Sequence, residues 1–261
     1  MLNLIDMKLI LSLTTCKRFN LFLETILSFY TNCNDLHLIT EIVHFDDSSS
    51  KDEREKMRII FNNLFPNIKY TTFYIDEKSI SSKKRHLEIM KLWKIHLEKI
   101  ESDYCFHLED DWKFVKPFTL QSGLDLLSVE SEVALVGYSW QMKKFPENVF
   151  TPKIIGNFWE WCFLPDREIN DNLCLDEVEM SYLPEDVWVS IINWPYFGFR
   201  PGIHDVKKLS KLDNFEDTDI SFELEFAIRY SKLYKSYLHK ERICYHIGDE
   251  NSSYDINNSK R

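Results

Sequence analysis

The chain has 261 residues, enough for one large domain or two small ones, and 44% of them are hydrophobic, enough for a substantial core. A formal net charge of −10 argues against a nucleic-acid-binding surface, because phosphate backbones reward Lys and Arg. With only 6 glycines, none in a Gly-x-Gly-x-x-Gly or Walker-type loop, any phosphate must be gripped some other way.

The stretch from Met1 to Thr15 is apolar but short, without a basic leader or a small-residue cleavage site. It reads as a first core strand rather than a signal peptide or anchor, with Met7 as an alternative start. No other window is apolar enough to span a bilayer. The 6 cysteines show no CxxC pairing, which suits reduced thiols in a cytoplasmic protein.

Residues 8–14 predict a buried strand. Residues 20–30 carry Phe22, Leu23, Ile26, Leu27 and Tyr30 at helical spacing. A second strand, 41–45, runs into Asp46-Asp47-Ser48-Ser49-Ser50, which also caps a charged helix over 51–64. A third strand is predicted over 69–75 and a helix over 81–100, with Leu87, Met90, Leu97 and Ile100 near one face. The fourth strand, 103–108, delivers Glu109-Asp110-Asp111-Trp112.

This order predicts an α/β sandwich around a mainly parallel sheet, whose ligands bind beyond the carboxyl ends of the strands. The polar clusters fall at those ends: Thr14-Thr15, Asp46-Asp47 and Glu109-Asp110-Asp111. Beyond them the periodicity weakens. Residues 120–127 look helical and 133–138 look like a strand. Residues 139–200, rich in Trp, Phe, Tyr and Pro, suit either an acceptor pocket or plain apolar packing. A helix over 219–233 and a short strand to 247 follow. We expect one domain of two halves, 1–112 and 113–250, with a polar tail at 251–261.

Three adjacent acids at a strand end repel one another unless a cation neutralises them. Oxygen-only ligation suits Mn2+ or Mg2+. An ordinary acidic turn is the other reading. For Asp46 and Asp47 the choices are a ribose or base contact, helix capping, or both. Ser81-Ser82-Lys83-Lys84-Arg85-His86 opens a helix and suits an anion or a solvated basic turn. The acids from Glu216 to Glu223 suit a general base or acid–dipole pairing in a first helical turn. His246 is a structural histidine or a further ligand.

Taken together and in order, these pieces resemble the GT-A glycosyltransferases, particularly the inverting enzymes of the large family-2 type. Leu13-Thr14-Thr15-Cys16-Lys17-Arg18 is similar to their first strand and loop. Phe45-Asp46-Asp47-Ser48-Ser49 resembles their Asp-Asp-Gly-Ser nucleoside turn, with Ser48 where Gly is usual. Leu108-Glu109-Asp110-Asp111 resembles the metal-binding DxD motif. Glu216-Asp217-Thr218-Asp219-Ile220-Ser221 resembles the segment whose second acid is the catalytic base, and His246-Ile247-Gly248 a late histidine–glycine element.

The resemblance implies a three-layer α/β/α GT-A fold. It implies sugar transfer from a UDP- or GDP-linked donor to a glycan or other hydroxyl acceptor, with inversion. Thr14, Thr15, Arg18, Asp46, Asp47, Lys84, Arg85, Glu109 and Asp110 would bind the donor. Asp111 and His246 would hold Mn2+ or Mg2+, and Asp217 would be the base. The rivals are a sugar nucleotidyltransferase, which usually has a glycine-rich basic loop near its start, and a non-catalytic carbohydrate-binding module on the same fold.

Overall fold

The computed structural model describes residues 7–75, 82–139, 153–160, 197–218 and 221–248. Three strand–helix units open it: β1 (Leu9–Thr15) and α1 (Phe19–Asn32), β2 (Ile39–Asp47) and α2 (Lys51–Leu64), β3 (Lys69–Ile75) and α3 (Ser82–Lys99). Then come β4 (Tyr104–Glu109), β5 (Trp112–Phe114), α4 (Leu120–Val129) and β6 (Val133–Gly137). The later elements are β7 (Ile154–Ile155), β8 (Phe158–Glu160), β9 (Gly202–Asp205), α5 (Val206–Leu209), α6 (Phe222–Ser231), β10 (Lys235–His239) and β11 (Cys244–His246).

Nine strands form one sheet in the order β3-β2-β1-β4-β9-β6-β10-β8-β7. Strands β3, β2, β1 and β4 are mutually parallel, and β10 is parallel to β6. β9 runs against both β4 and β6. Parallel strands covered on both faces are apolar throughout, which is why Leu9 to Leu13 is a continuous buried run. One face packs Phe22, Ile26 and Phe29 of α1, Phe61 of α2 and Leu124 and Leu127 of α4 into a single core. The other packs Leu87, Met90 and Trp93 of α3 with Phe222, Phe226 and Tyr230 of α6. The result is the expected α/β/α sandwich with a large, mostly parallel sheet.

Local chemistry sets the helix starts. Ser50 and Glu53 form a reciprocal capping box at α2, satisfying two end amides. α4 is capped from a distance instead: both Asp35 carboxylate oxygens accept 2.8 Å bonds, from the Leu120 and Gln121 amides. The helix expected over 219–233 spans Phe222–Ser231, with Ser221 as its non-helical N-cap; residues 219 and 220 lie outside the described residues. Most of the 139–200 segment and the 251–261 tail also lie outside them.

β5, β7, β8 and β9 are additions to the predicted elements. β9 carries one hydrophobic residue and a fully buried histidine, His204, so it lacks an apolar signal. It fits between its neighbours because Gly202 has no side chain. A Cβ there would stand 2.9 Å from the Val136 carbonyl oxygen and 3.2 Å from Gly137 Cα. β5 and β11 form a separate two-stranded ribbon pairing Trp112 with His246. Among the described residues no helix is long and apolar enough to cross a membrane. Cys33, Cys105 and Cys244 are buried free thiols and Cys16 is half-buried, while Cys162 and Cys174 lie outside the described residues.

Candidate active site

The register of β1 brings the three polar strand ends together. Thr15 pairs with Asp46 of β2, and Thr14 sits between Phe45 and Glu109 of β4. Thr14 is half-buried at this junction, whereas Thr15 is buried and used internally. The Thr15 hydroxyl donates to Asp46 Oδ1 at 2.8 Å and lies 2.8 Å from His44 Nε2.

Asp46 is fully buried and its acceptors are heavily used. Besides Thr15, it accepts from Arg54 Nε at 2.9 Å and from the Ser49 amide at 3.2 Å. It therefore shapes the turn from within. Asp47 faces the opposite neighbour, accepting from Arg85 Nε of α3 at 2.8 Å and from the Ser48 hydroxyl at 2.8 Å. Ser48 has φ 65°, the left-handed backbone that favours glycine, and its amide donates to the Ile75 carbonyl at 2.9 Å. The serine thus holds a glycine conformation by tethering its hydroxyl.

The Glu109-Asp110-Asp111 corner is held from α1 and from β11. Thr25 donates its hydroxyl to the Asp110 carbonyl at 2.9 Å and accepts from the Trp112 amide at 3.1 Å. Ile247 donates its amide to the Asp111 carbonyl at 2.8 Å. Gly248 lies so close that a Cβ would stand 2.6 Å from Asp111 Oδ2 and 2.9 Å from Asp111 Cβ. Arg18 spans the two aspartates, donating to Asp110 Oδ1 and, at 2.7 Å, to Asp111 Oδ2. Asp110 Oδ2 takes the Cys16 amide at 3.0 Å. His246 Nε2 is 3.1 Å from Asp111 Oδ2.

The three acids differ electrostatically. Burial pushes Glu109 up to about 8, reinforced by the charges of Asp111 and Glu223. Burial also raises Asp110, against the pull of Arg18. Burial would raise Asp111 too, but the His246 hydrogen bond and the Arg18 charge outweigh it and hold its carboxyl below the usual range.

On the α3 and α6 side, Lys84 Nζ lies 3.7 Å from Asp217 Oδ2, and both side chains are exposed. Adjacent residues of α3 thus reach Asp47 and Asp217, drawing the acidic loop to this end of the sheet. Two further groups stand here that were not among the site residues expected from the sequence. Glu223, in the first turn of α6, is 4.0 Å from His86 Nε2. Arg200 lies two residues before β9, where continuing the ladder sets it opposite Glu109. Its charge interacts with both Glu109 and Glu223, while burial lowers its pKa. Glu223 lay inside an acidic run already noted; Arg200 carried no local signal.

Among the described residues, the buried Asp111 Oδ1 has no hydrogen-bond partner. An orphaned hard oxygen beside two more carboxylates fits Mn2+ or Mg2+. Among the described residues no three His, Cys, Asp or Glu side chains converge on one point.

No family model matches the chain, and no curated protein does. Solved structures do. The mannosyltransferase PcManGT from Pyrobaculum calidifontis, in complex with GDP-Man and Mn2+, matches 95% of this chain at TM-score 0.57 and 13% identity. S. aureus TarS 1-349 in complex with UDP matches 92% at TM-score 0.56 and 12% identity. Another crystal structure of S. aureus TarS 1-349 matches 94% at TM-score 0.54 and 11% identity. This chain spans 59% to 61% of the length of those three chains. With a parallel sheet, an inserted antiparallel strand and acids gathered at the strand ends, the chain has the fold of the GT-A glycosyltransferases.

Proposed function

We propose that the protein transfers a sugar from a nucleoside-diphosphate donor to an acceptor hydroxyl with the help of a divalent cation. The observation that carries this reading is the buried, unpartnered Asp111 Oδ1 at the β4 end, flush with the polar ends of β1 and β2. Thr14 and Asp47 would face the nucleoside, with Arg85 orienting Asp47 and with Asp46 and Thr15 holding the turn beneath them. Asp111 and His246 would hold Mn2+ or Mg2+, backed by Glu109 and Asp110. When bound, that cation would neutralise charge building on the departing diphosphate.

The acceptor proton would pass to a carboxylate oxygen of Asp217 as the hydroxyl oxygen bonds to the anomeric carbon and the bond to the diphosphate oxygen breaks. Lys84, 3.7 Å from Asp217, would help to position that carboxylate. Inversion follows if the hydroxyl attacks from the face opposite the leaving group. The acceptor is a glycan or another hydroxyl compound.

The test is a thermal-shift screen of GDP and UDP, each with and without Mn2+. Stabilisation that needs nucleotide and cation together, and is abolished in Asp111→Ala, is the expected result. Equal stabilisation of wild type and Asp111→Ala overturns the cation role. Release of pyrophosphate rather than free nucleoside diphosphate during turnover would make the protein a nucleotidyltransferase.

A further inference from the structure

We infer that Arg18 is the site's resident cation, and that it makes divalent-ion binding depend on a diphosphate arriving with the ion. The inference rests on the reading above, that the β4 corner takes a cation and a nucleoside diphosphate. Arg18 lies in the short turn between β1 and α1, and its side chain is only 10% exposed. Two different terminal nitrogens reach two neighbouring carboxylates, one donating to Asp110 Oδ1 and the other to Asp111 Oδ2. A guanidinium is always charged and rigidly forked, so it can bridge two acids as a metal ion would. The loop that presents it is built for the purpose. Lys17 has φ 53°, and its amide donates to Ser49 Oγ at 3.1 Å, fixing the turn that aims Arg18 back over β4.

Among the described residues, this arrangement leaves Asp111 Oδ1 buried and without a partner. A divalent ion arriving there alone would share one carboxylate with a guanidinium in a poorly solvated setting. Like charges so close repel strongly, so a free ion competes with Arg18 instead of joining it. A diphosphate changes that balance in two ways. Its negative charge separates ion from guanidinium, and its oxygens offer the fork of Arg18 a new pair of acceptors in exchange for Asp111. Ion and diphosphate then strengthen one another through Arg18, and by linkage each must raise the other's affinity by the same factor. The donor-free corner stays neutralised by the protein itself.

The experiment measures Mn2+ directly, by the electron paramagnetic resonance of the unbound ion, alongside thermal shifts. Wild type, Arg18→Gln and Arg18→Lys are compared with Mn2+ alone, with GDP or UDP alone, and with both. Arg18→Gln is expected to bind Mn2+ alone about tenfold tighter than wild type, and to lose a similar factor from the enhancement by diphosphate. Arg18→Lys, which keeps the charge but cannot fork, should fall between them. Arg18→Gln binding Mn2+ alone no tighter than wild type overturns the inference. If Arg18→Gln does not fold, Arg18→Lys decides on the same criterion. Failure of the underlying reading looks different: wild type then responds to neither diphosphate in the presence of Mn2+, and the coupling falls with it.

Discussion

Two strand ends, on either side of β1 in the same sheet, carry acids and treat them in opposite ways. At the end of β2, Asp46 is saturated by Thr15, Arg54 and Ser49, and Asp47 is held by Arg85 and Ser48. At the end of β4, Arg18 bridges Asp110 and Asp111, Glu109 accepts from the Trp112 indole at 3.1 Å, and among the described residues a buried oxygen of Asp111 has no partner. A carboxylate whose acceptors are filled stabilises the fold. One left short of donors costs stability, and proteins retain such sites where a ligand completes them. The same residue types thus serve architecture in one place and chemistry in the other.

The sharpest way to break this contrast is to remove one acid from each end. Asp46→Ala strips Arg54 and Thr15 of a buried partner and should cost about 3 to 5 kcal/mol in urea unfolding. Asp111→Asn should cost less in the same experiment, because its side chain keeps an oxygen for Arg18, which Asp110 still pairs. Equal losses would erase the distinction.

The pH dependence separates the regions by sign. Burial depresses His204 to about 3 and His44 to about 4, so both fold neutral. A histidine depressed in this way contributes its full stability above the unfolded value near 6.5. It loses about 1.4 kcal/mol per pH unit as the medium falls below that value. Glu109, raised to about 8, acts the other way: it binds a proton in the folded state first, so acidification from pH 8 towards 5 stabilises the fold. The two trends oppose each other in the wild type. In Glu109→Gln the acid-side loss between pH 6.5 and 5 should steepen by about 1.4 kcal/mol per unit. An unchanged slope would mean that Glu109 folds ionised.

Gly248→Ala places a methyl against the Asp111 carboxylate, and an overpacked contact of this kind costs about 1 to 3 kcal/mol. It should also weaken Mn2+-dependent nucleotide stabilisation more than it lowers the melting temperature of the free protein. Smallest in effect is Ser48→Gly. It relieves the left-handed serine at the loss of its hydroxyl tethers, for a net gain of up to about 1 kcal/mol.

What was legible in the sequence is what short-range chemistry determines. The helix over 51–64 and the strand over 69–75 match the structure residue for residue, because a capping box and a polar-bounded apolar run are local signals. The parallel order of the first strands follows from alternating strands and helices. β9 escaped because Gly-Ile-His-Asp owes its place to two neighbours rather than to a pattern of its own. Within the candidate site, the acids were visible as a run of charge, but their partners were not. Arg18 meets Asp110 across 92 positions of sequence, and Gly248 is needed for a close approach that no spacing reveals. Arg200 reaches Glu109 through an antiparallel ladder that was itself unforeseen.

The way β5 is bordered has a consequence beyond the site. One side of this strand pairs with β11, and on the other the Trp112 and Phe114 amides donate to the Thr25 and Ser28 hydroxyls of α1, while Asn32 donates to the Phe114 carbonyl. A helix therefore takes the seat that another strand would occupy. A bare rim so close to a buried aromatic cluster would invite a second chain to add itself by backbone pairing. Three polar side chains spaced along α1 close off that route to aggregation, and in doing so they anchor the acids just upstream to a rigid helix.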